Sequence, residues 1–177
     1  MHCTFPLFAI SVLVSSAASV NINLYGGSNA CNNTSPGGRL VCGGIAAGTC
    51  CSFNPVQDVL SAGFTGMATT SVAIIANGNC QQSLNTATGA TTYCLNSFNT
   101  ARGALWKAPG REIRVGDPLN CEKTVEPNIA TFANGRSFKI NYDVPSNVTD
   151  VIVDMVMTDP QLSLPVPDEV LPYEIVN

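Results

Sequence analysis

Val20-Asn21-Ile22-Asn23-Leu24-Tyr25 alternates apolar and polar side chains and runs directly into Gly26-Gly27-Ser28-Asn29. A period of two is the mark of a half-buried strand, and the glycines and asparagine that follow mark a turn. The same pattern continues outward from this stretch. Further short strands are expected at 40–42, 49–53, 62–65, 72–76, 91–95 and 104–107, with turns at Pro36-Gly37-Gly38, Gly43-Gly44, Asn77-Gly78-Asn79 and Gly89 between them. Many short strands at regular spacing predict a mainly β domain, a sandwich or barrel of antiparallel strands.

The opening stretch also has a partner further along the chain. Ile22 to Cys31 reads strand, Gly/Asn turn, Cys, and a polar loop leads to Cys42. Ser71 to Cys80 reads the same way, and its polar loop leads to Cys94. This weak two-fold repeat predicts that Cys31 and Cys80 share one structural role and Cys42 and Cys94 another.

Composition changes near residue 100. Residues 19–100 carry two charges, Arg39 and Asp58, whereas 101–177 carry 18, and from Ile140 onward there are seven acids and no base. The chain therefore reads as a signal segment (1–18), a neutral cysteine-rich β lobe (19–108), a charged β extension (109–158) and a Pro-rich acidic tail (159–177). In the extension, Arg111-Glu112-Ile113-Arg114-Val115 and Ser137-Phe138-Lys139-Ile140-Asn141-Tyr142 alternate as strands do, and Asn134-Gly135 is a hairpin signal. Residues 146–157 fit either a helix or a strand. Ser146 as N-cap and the stripe Val148, Val151, Ile152, Met155 and Val156 tip the reading to one short helix. The tail, with Pro160, Pro165, Pro167 and Pro172, is expected to pack weakly or stay disordered.

Compartment follows from the first residues. Leu7-Phe8-Ala9-Ile10-Ser11-Val12-Leu13-Val14 is an apolar run far too short to span lipid, and Ser15-Ser16-Ala17-Ala18 offers small residues for cleavage after Ala18. A secreted, extracellular protein is expected. Cleavage there removes His2, the only histidine, together with Cys3, and leaves seven cysteines. In an oxidising compartment Cys31, Cys42, Cys50, Cys51, Cys80, Cys94 and Cys121 read as a disulfide framework with one thiol left over for an inert site or a disulfide-linked dimer. Neighbours on a strand face opposite ways, so Cys50 and Cys51 should serve different bridges. The repeat suggests local bridges Cys31–Cys42 and Cys80–Cys94, with Cys121 pairing with Cys50 or Cys51, although the connectivity itself is not readable. Asn32, Asn33 and Asn147 are glycosylation acceptors.

The segment Cys42-Gly43-Gly44-Ile45-Ala46-Ala47-Gly48-Thr49-Cys50-Cys51 resembles fungal small secreted cysteine-rich proteins over roughly residues 20–106. That resemblance implies secretion and brings no activity with it. The two strand–turn units are also similar, more distantly, to the Greek-key pair of βγ-crystallin-type domains, whose calcium signature is two Asn/Asp, two spacers and Ser/Thr-Ser. Here Thr70-Ser71 keep the ending, but Gly66 and Met67 stand in the acidic places, and Cys31-Asn32-Asn33-Thr34 keeps the paired Asn without the ending. Calcium is not implied.

Chemistry is bounded mainly by exclusion. Without histidine there is no Ser-His-Asp or Cys-His site, and the cysteine spacing lacks the close pairs of zinc ligands, so neither metal nor cofactor is expected. What remains is carboxylate chemistry of the glycoside-hydrolase kind, with Glu112, Asp117, Asp143, Asp150 and Asp154 as candidates. None lies in a recognisable motif, and solvated acids are the ordinary reading. At 11% charged residues and net charge −4, the chain is neither a nucleic-acid binder nor a basic membrane-inserting one. The expectation is therefore a non-enzymatic protein acting by surface recognition of an extracellular protein or polysaccharide. A carbohydrate-binding module is the alternative, with Trp106 and Tyr25 as ligand-stacking aromatics, and a carboxylate-dependent glycoside hydrolase is the third reading.

Overall fold

The computed structural model describes residues 19–26, 31, 38–53, 59–110 and 112–176. The expected signal segment, Asn32, Asn33 and Arg111 lie outside the described residues. Eleven strands, one α-helix and three disulfides are described, and the fold is mainly β.

The strands are β1 (Val20–Tyr25), β2 (Arg39–Ile45), β3 (Thr49–Ser52), β4 (Val59–Thr65), β5 (Val72–Ala76), β6 (Ser83–Thr88), β7 (Thr92–Ala101), β8 (Gly103–Lys107), β9 (Lys123–Val125), β10 (Ile129–Thr131) and β11 (Ser137–Lys139). They form a six-stranded sheet in the order β11-β10-β2-β1-β4-β7 and a five-stranded sheet in the order β6-β5-β8-β3-β9. All pairs are antiparallel except β3 with β9. The opening stretch, β1, runs through the middle of the larger sheet between β2 and β4.

Alternation decides what each face buries. Val20, Ile22 and Leu24 of β1 join Leu40, Phe64, Ala73, Ile75 and Trp106 in the core between the sheets. Five consecutive residues of β5 are buried, so both of its faces are covered. Val72, Ile74 and Ala76 pack with Cys50, Cys80, Leu105 and Leu119 in a second cluster on the outer face of the smaller sheet. Leu119 reaches that face on the segment after β8, which is held against the start of β6 by backbone bonds such as Ser83 N to Asp117 O, 3.0 Å, and to the residues before it by Leu119 N to Gln81 O, 2.8 Å.

The charged part of the chain completes both sheets, β9 in one and β10 and β11 in the other. Asn134-Gly135 does close the β10–β11 hairpin, with Gly135 at φ +89°. Of the strand expected at 111–115, the described residues 112–115 are not in a strand. Gly116 at φ +90° bends the chain, and the backbone there is bound by side chains: Asp117 accepts from Arg114 N at 3.0 Å.

The helix α1 spans Ser146–Thr158 and buries Val148, Ile152, Val153 and Val156 against the core. Its N-cap is Pro145, not Ser146, and the Pro145 carbonyl accepts from Val148 and Thr149 N–H. The tail is packed, contrary to the expectation from its prolines. Val170 is buried, Ile175 N donates to Ser137 O at 2.8 Å, and Glu174 takes two bonds from the Arg136 guanidinium at 2.6 and 2.7 Å. An edge strand otherwise left open is thereby covered.

The bridges are Cys31–Cys94, Cys42–Cys51 and Cys50–Cys80, with Cys121 a free thiol. Cys50 and Cys51 do face opposite ways. Cys51 joins the inter-sheet core and Cys50 the outer cluster. The local bridges Cys31–Cys42 and Cys80–Cys94 are not made, nor does Cys121 pair with Cys50 or Cys51. Cys42 on β2 meets Cys51 across the two sheets, an encounter that depends on sheet packing rather than on spacing along the chain. Cys31 and Cys80 both have positive φ, +46° and +55°, but they bridge to different sheets, so the shared structural role that the repeat predicts is not kept.

Candidate functional site

The face of β1 that turns away from the core presents Asn21, Asn23 and Tyr25, and β-sheet register carries this face sideways. Tyr25 lies opposite Arg39 on β2, Arg39 opposite Thr131 on β10, and Thr131 opposite Ser137 on β11. In the neighbouring row Asn23 lies opposite Val41, and Val41 opposite Ile129. On the other side Asn21 lies opposite Thr65 of β4. Together with Ile175 from the tail, these residues line a groove of about 590 Å³. That volume lies in the range of small-ligand sites.

The groove has amides, hydroxyls and one guanidinium over an apolar floor of Val41, Ile129 and Ile175, and no carboxylate among its described lining. Its walls are partly organised. Asn21 Oδ1 accepts from Gly44 N at 2.9 Å, and the Thr131 and Ser137 hydroxyls share a 3.1 Å hydrogen bond. Gly63, between Asn23 and Cys94 in the ladder, leaves room for the Tyr25 ring to lie across the sheet; a Cβ there would stand 3.3 Å from that ring.

The two expected stacking residues do not offer a ring face. Trp106 is 4% exposed and its indole N–H donates to Ile45 O at 2.8 Å, which fixes it in the core. Tyr25 lines the groove but is itself only 4% exposed, so it shapes the groove floor instead of stacking on a ligand. Among the described residues Tyr142 is an exposed aromatic, on the turn after β11 and outside the groove lining.

The candidate acids are scattered apart from one pair. Glu112 and Asp117 share a smaller hollow of about 240 Å³ with Lys107. Arg114 engages both, its guanidinium donating to Glu112 at 3.2 Å and its backbone N–H to Asp117 at 3.0 Å. These contacts staple a turn. Asp143 accompanies Asn141 in the turn before α1, while Asp150 and Asp154 are exposed on the helix. Asn147 is exposed in the first turn of α1.

The free thiol is not isolated. The Sγ atoms of Cys50, Cys80 and Cys121 all lie within 4.8 Å of one another, and the half-buried Cys121 donates to Cys80 O at 3.4 Å. Burial pushes the Cys121 thiol up from its ordinary pKa, only partly offset by the Lys107 cation. A protonated thiol beside a bridge fits this environment better than a bound metal ion, since two of the three sulfurs are already spent in the disulfide.

A family profile, described as an N-terminal domain, matches residues 21–128. The chain belongs to the ARB_05566_N family. The matched span runs from β1 through the β3–β9 pair and stops just before β10. The β10–β11 hairpin and the tail, which supply Ile129, Thr131, Ser137 and Ile175 to the groove, therefore follow the family's domain, as does the helix. No curated protein and no solved structure matches the chain. Three disulfides, and no described helix long and apolar enough to cross a membrane, are compatible with a secreted or extracellular protein.

Groove residues such as Asn23, Thr65, Thr131 and Ser137 were not singled out from the sequence. The alternation of β1 holds part of the signal, because it sends Asn21 and Asn23 to the face opposite Ile22 and Leu24. The rest depends on β10 and β11 docking beside β2, which no local pattern encodes.

Proposed function

We propose that this is a secreted, non-enzymatic recognition protein that holds a neutral extracellular polysaccharide in the groove of its six-stranded sheet. The observation that carries the reading is the lining: amides and hydroxyls in cross-strand rows over an apolar floor, with no carboxylate among the described residues. Such groups donate to and accept from sugar hydroxyls, while the apolar floor suits the C–H face of a pyranose. An acid pair able to cleave a glycosidic bond is missing from that described lining, which supports binding over hydrolysis. Loss of residues 1–18, export and glycosylation at the exposed Asn147 belong to the same reading.

The test is retention on insoluble glucan and chitin, followed by titration with soluble oligosaccharides. Asn23→Ala/Thr65→Ala should keep the fold and bind roughly tenfold more weakly or worse, at about 1 kcal/mol for each lost hydrogen bond. Binding to a neutral glycan should also change little with salt. No retention on any neutral glycan, or retention unaffected by the double substitution, overturns the proposal. Capture of an acidic or proteinaceous partner that salt releases would assign the groove to protein recognition instead.

A further inference from the structure

We propose that Cys121 and the Cys50–Cys80 bridge form a thiol–disulfide exchange centre, in which the disulfide can pass to Cys121 without any change in the fold. The site is a cluster of three sulfurs drawn from three separate elements. Cys50 comes from β3, Cys80 from the 3-10 turn Gly78–Cys80, and Cys121 from the segment that covers the outer face of the smaller sheet. All three sulfurs fall within 4.8 Å of one another, so the Cys121 sulfur stands beside both sulfurs of the bridge.

The exchange needs no outside oxidant. Cys121 gives its proton to solvent, and its thiolate attacks Sγ of Cys50 or Cys80. A new bond forms to the attacked sulfur while the Cys50–Cys80 bond breaks. The electron pair leaves with the displaced sulfur, which then takes up a proton. One disulfide and one thiol are present before and after. The consequence is mechanical. In the starting state the segment carrying Leu119 and Cys121 is held by packing and hydrogen bonds alone. In either product it is tied covalently to the sheet or to the 3-10 turn, and a different cysteine becomes the reactive thiol.

The full-length, natively folded protein is held at about pH 9 to supply thiolate. It is then quenched in acid, labelled with N-ethylmaleimide and mapped by mass spectrometry. Label is expected at Cys121 at first, then shared with Cys50 or Cys80, with matching Cys121-containing disulfide peptides. The Cys121→Ser protein should keep Cys50–Cys80 and take no label at either of these two cysteines. A second variant, Cys80→Ser, refolded with oxidised glutathione, should form Cys50–Cys121. Label confined to Cys121 after prolonged incubation overturns the proposal. So does a Cys80→Ser protein that leaves Cys50 and Cys121 both free, or a wild-type protein that joins two chains through Cys121.

Discussion

Two glycines in this fold serve different needs, and substituting each should have a different result. Gly38 lies just before β2, under the helix, where an added Cβ would come 2.5 Å from the Val156 carbonyl oxygen. Backbone cannot rotate away as a side chain can, so Gly38→Ala must push α1 off the sheet. We expect a loss of about 1–3 kcal/mol, the usual cost of overpacking. Gly135, at φ +89° in the hairpin, has open space around it, and alanine there meets only backbone strain, about 1 kcal/mol. Urea denaturation separates the two. A Gly38→Ala protein as stable as the parent would mean that the helix is not seated as described. At this scale the sequence was legible where a rule is local. Adjacent cysteines on a strand face opposite ways, and Cys50 and Cys51 do. It was not legible where the partner comes from another layer. Trp106 reads either as core, the usual place of a sole Trp in a small β domain, or as a ligand platform, and only Ile45 O at its indole nitrogen decides for the core.

Elements with a strong period were recoverable, and elements held by their surroundings were not. β1 and β5 have the bounds their alternation and apolar run suggested, and 146–157 is helical although its valines and isoleucine also suit a strand. β6, β9 and β10 are short or polar and owe their strand form to the neighbours they pair with. The tail was misread for a similar reason. Its prolines disfavour strands and long helices, yet a 3-10 turn forms at Leu171–Tyr173 and the Arg136–Glu174 pair fastens the tail beside β11. That pair carries a pH dependence of definite sign. The Arg136 guanidinium holds the Glu174 carboxyl below its usual range, so the folded state binds this proton less readily than the unfolded chain. Its contribution to stability is present above the ordinary carboxylate pKa and disappears as pH falls through the lowered one. The melting temperature of Glu174→Gln should therefore lie below that of the parent at neutral pH. The gap should close below about pH 4. A gap that stays constant down to acid pH would show that the lost ion pair is not its cause.

At the scale of the molecule the three described bridges differ in reach and in exposure, and those differences order their loss. Cys31–Cys94 spans 63 residues and is accessible, with Cys94 exposed and Cys31 half-buried. Cys42–Cys51 spans 9 residues and Cys50–Cys80 spans 30, and all four of their cysteines are buried. A mild thiol reductant should open Cys31–Cys94 first. Loop-closure entropy puts its removal at about 4 kcal/mol, so the product should stay folded but melt much lower. Cys42–Cys51 joins the two sheets through the core. Loop closure gives it only about 2.5 kcal/mol, but its sulfurs become accessible only when the sheets part. Its reduction should therefore coincide with global unfolding instead of preceding it. Timed alkylation with mass mapping, alongside circular dichroism, follows both processes. Opening of Cys42–Cys51 in a protein that keeps its full β signal would show that the sheets hold together without that bridge. The fold would then rest on the inter-sheet hydrophobic core alone.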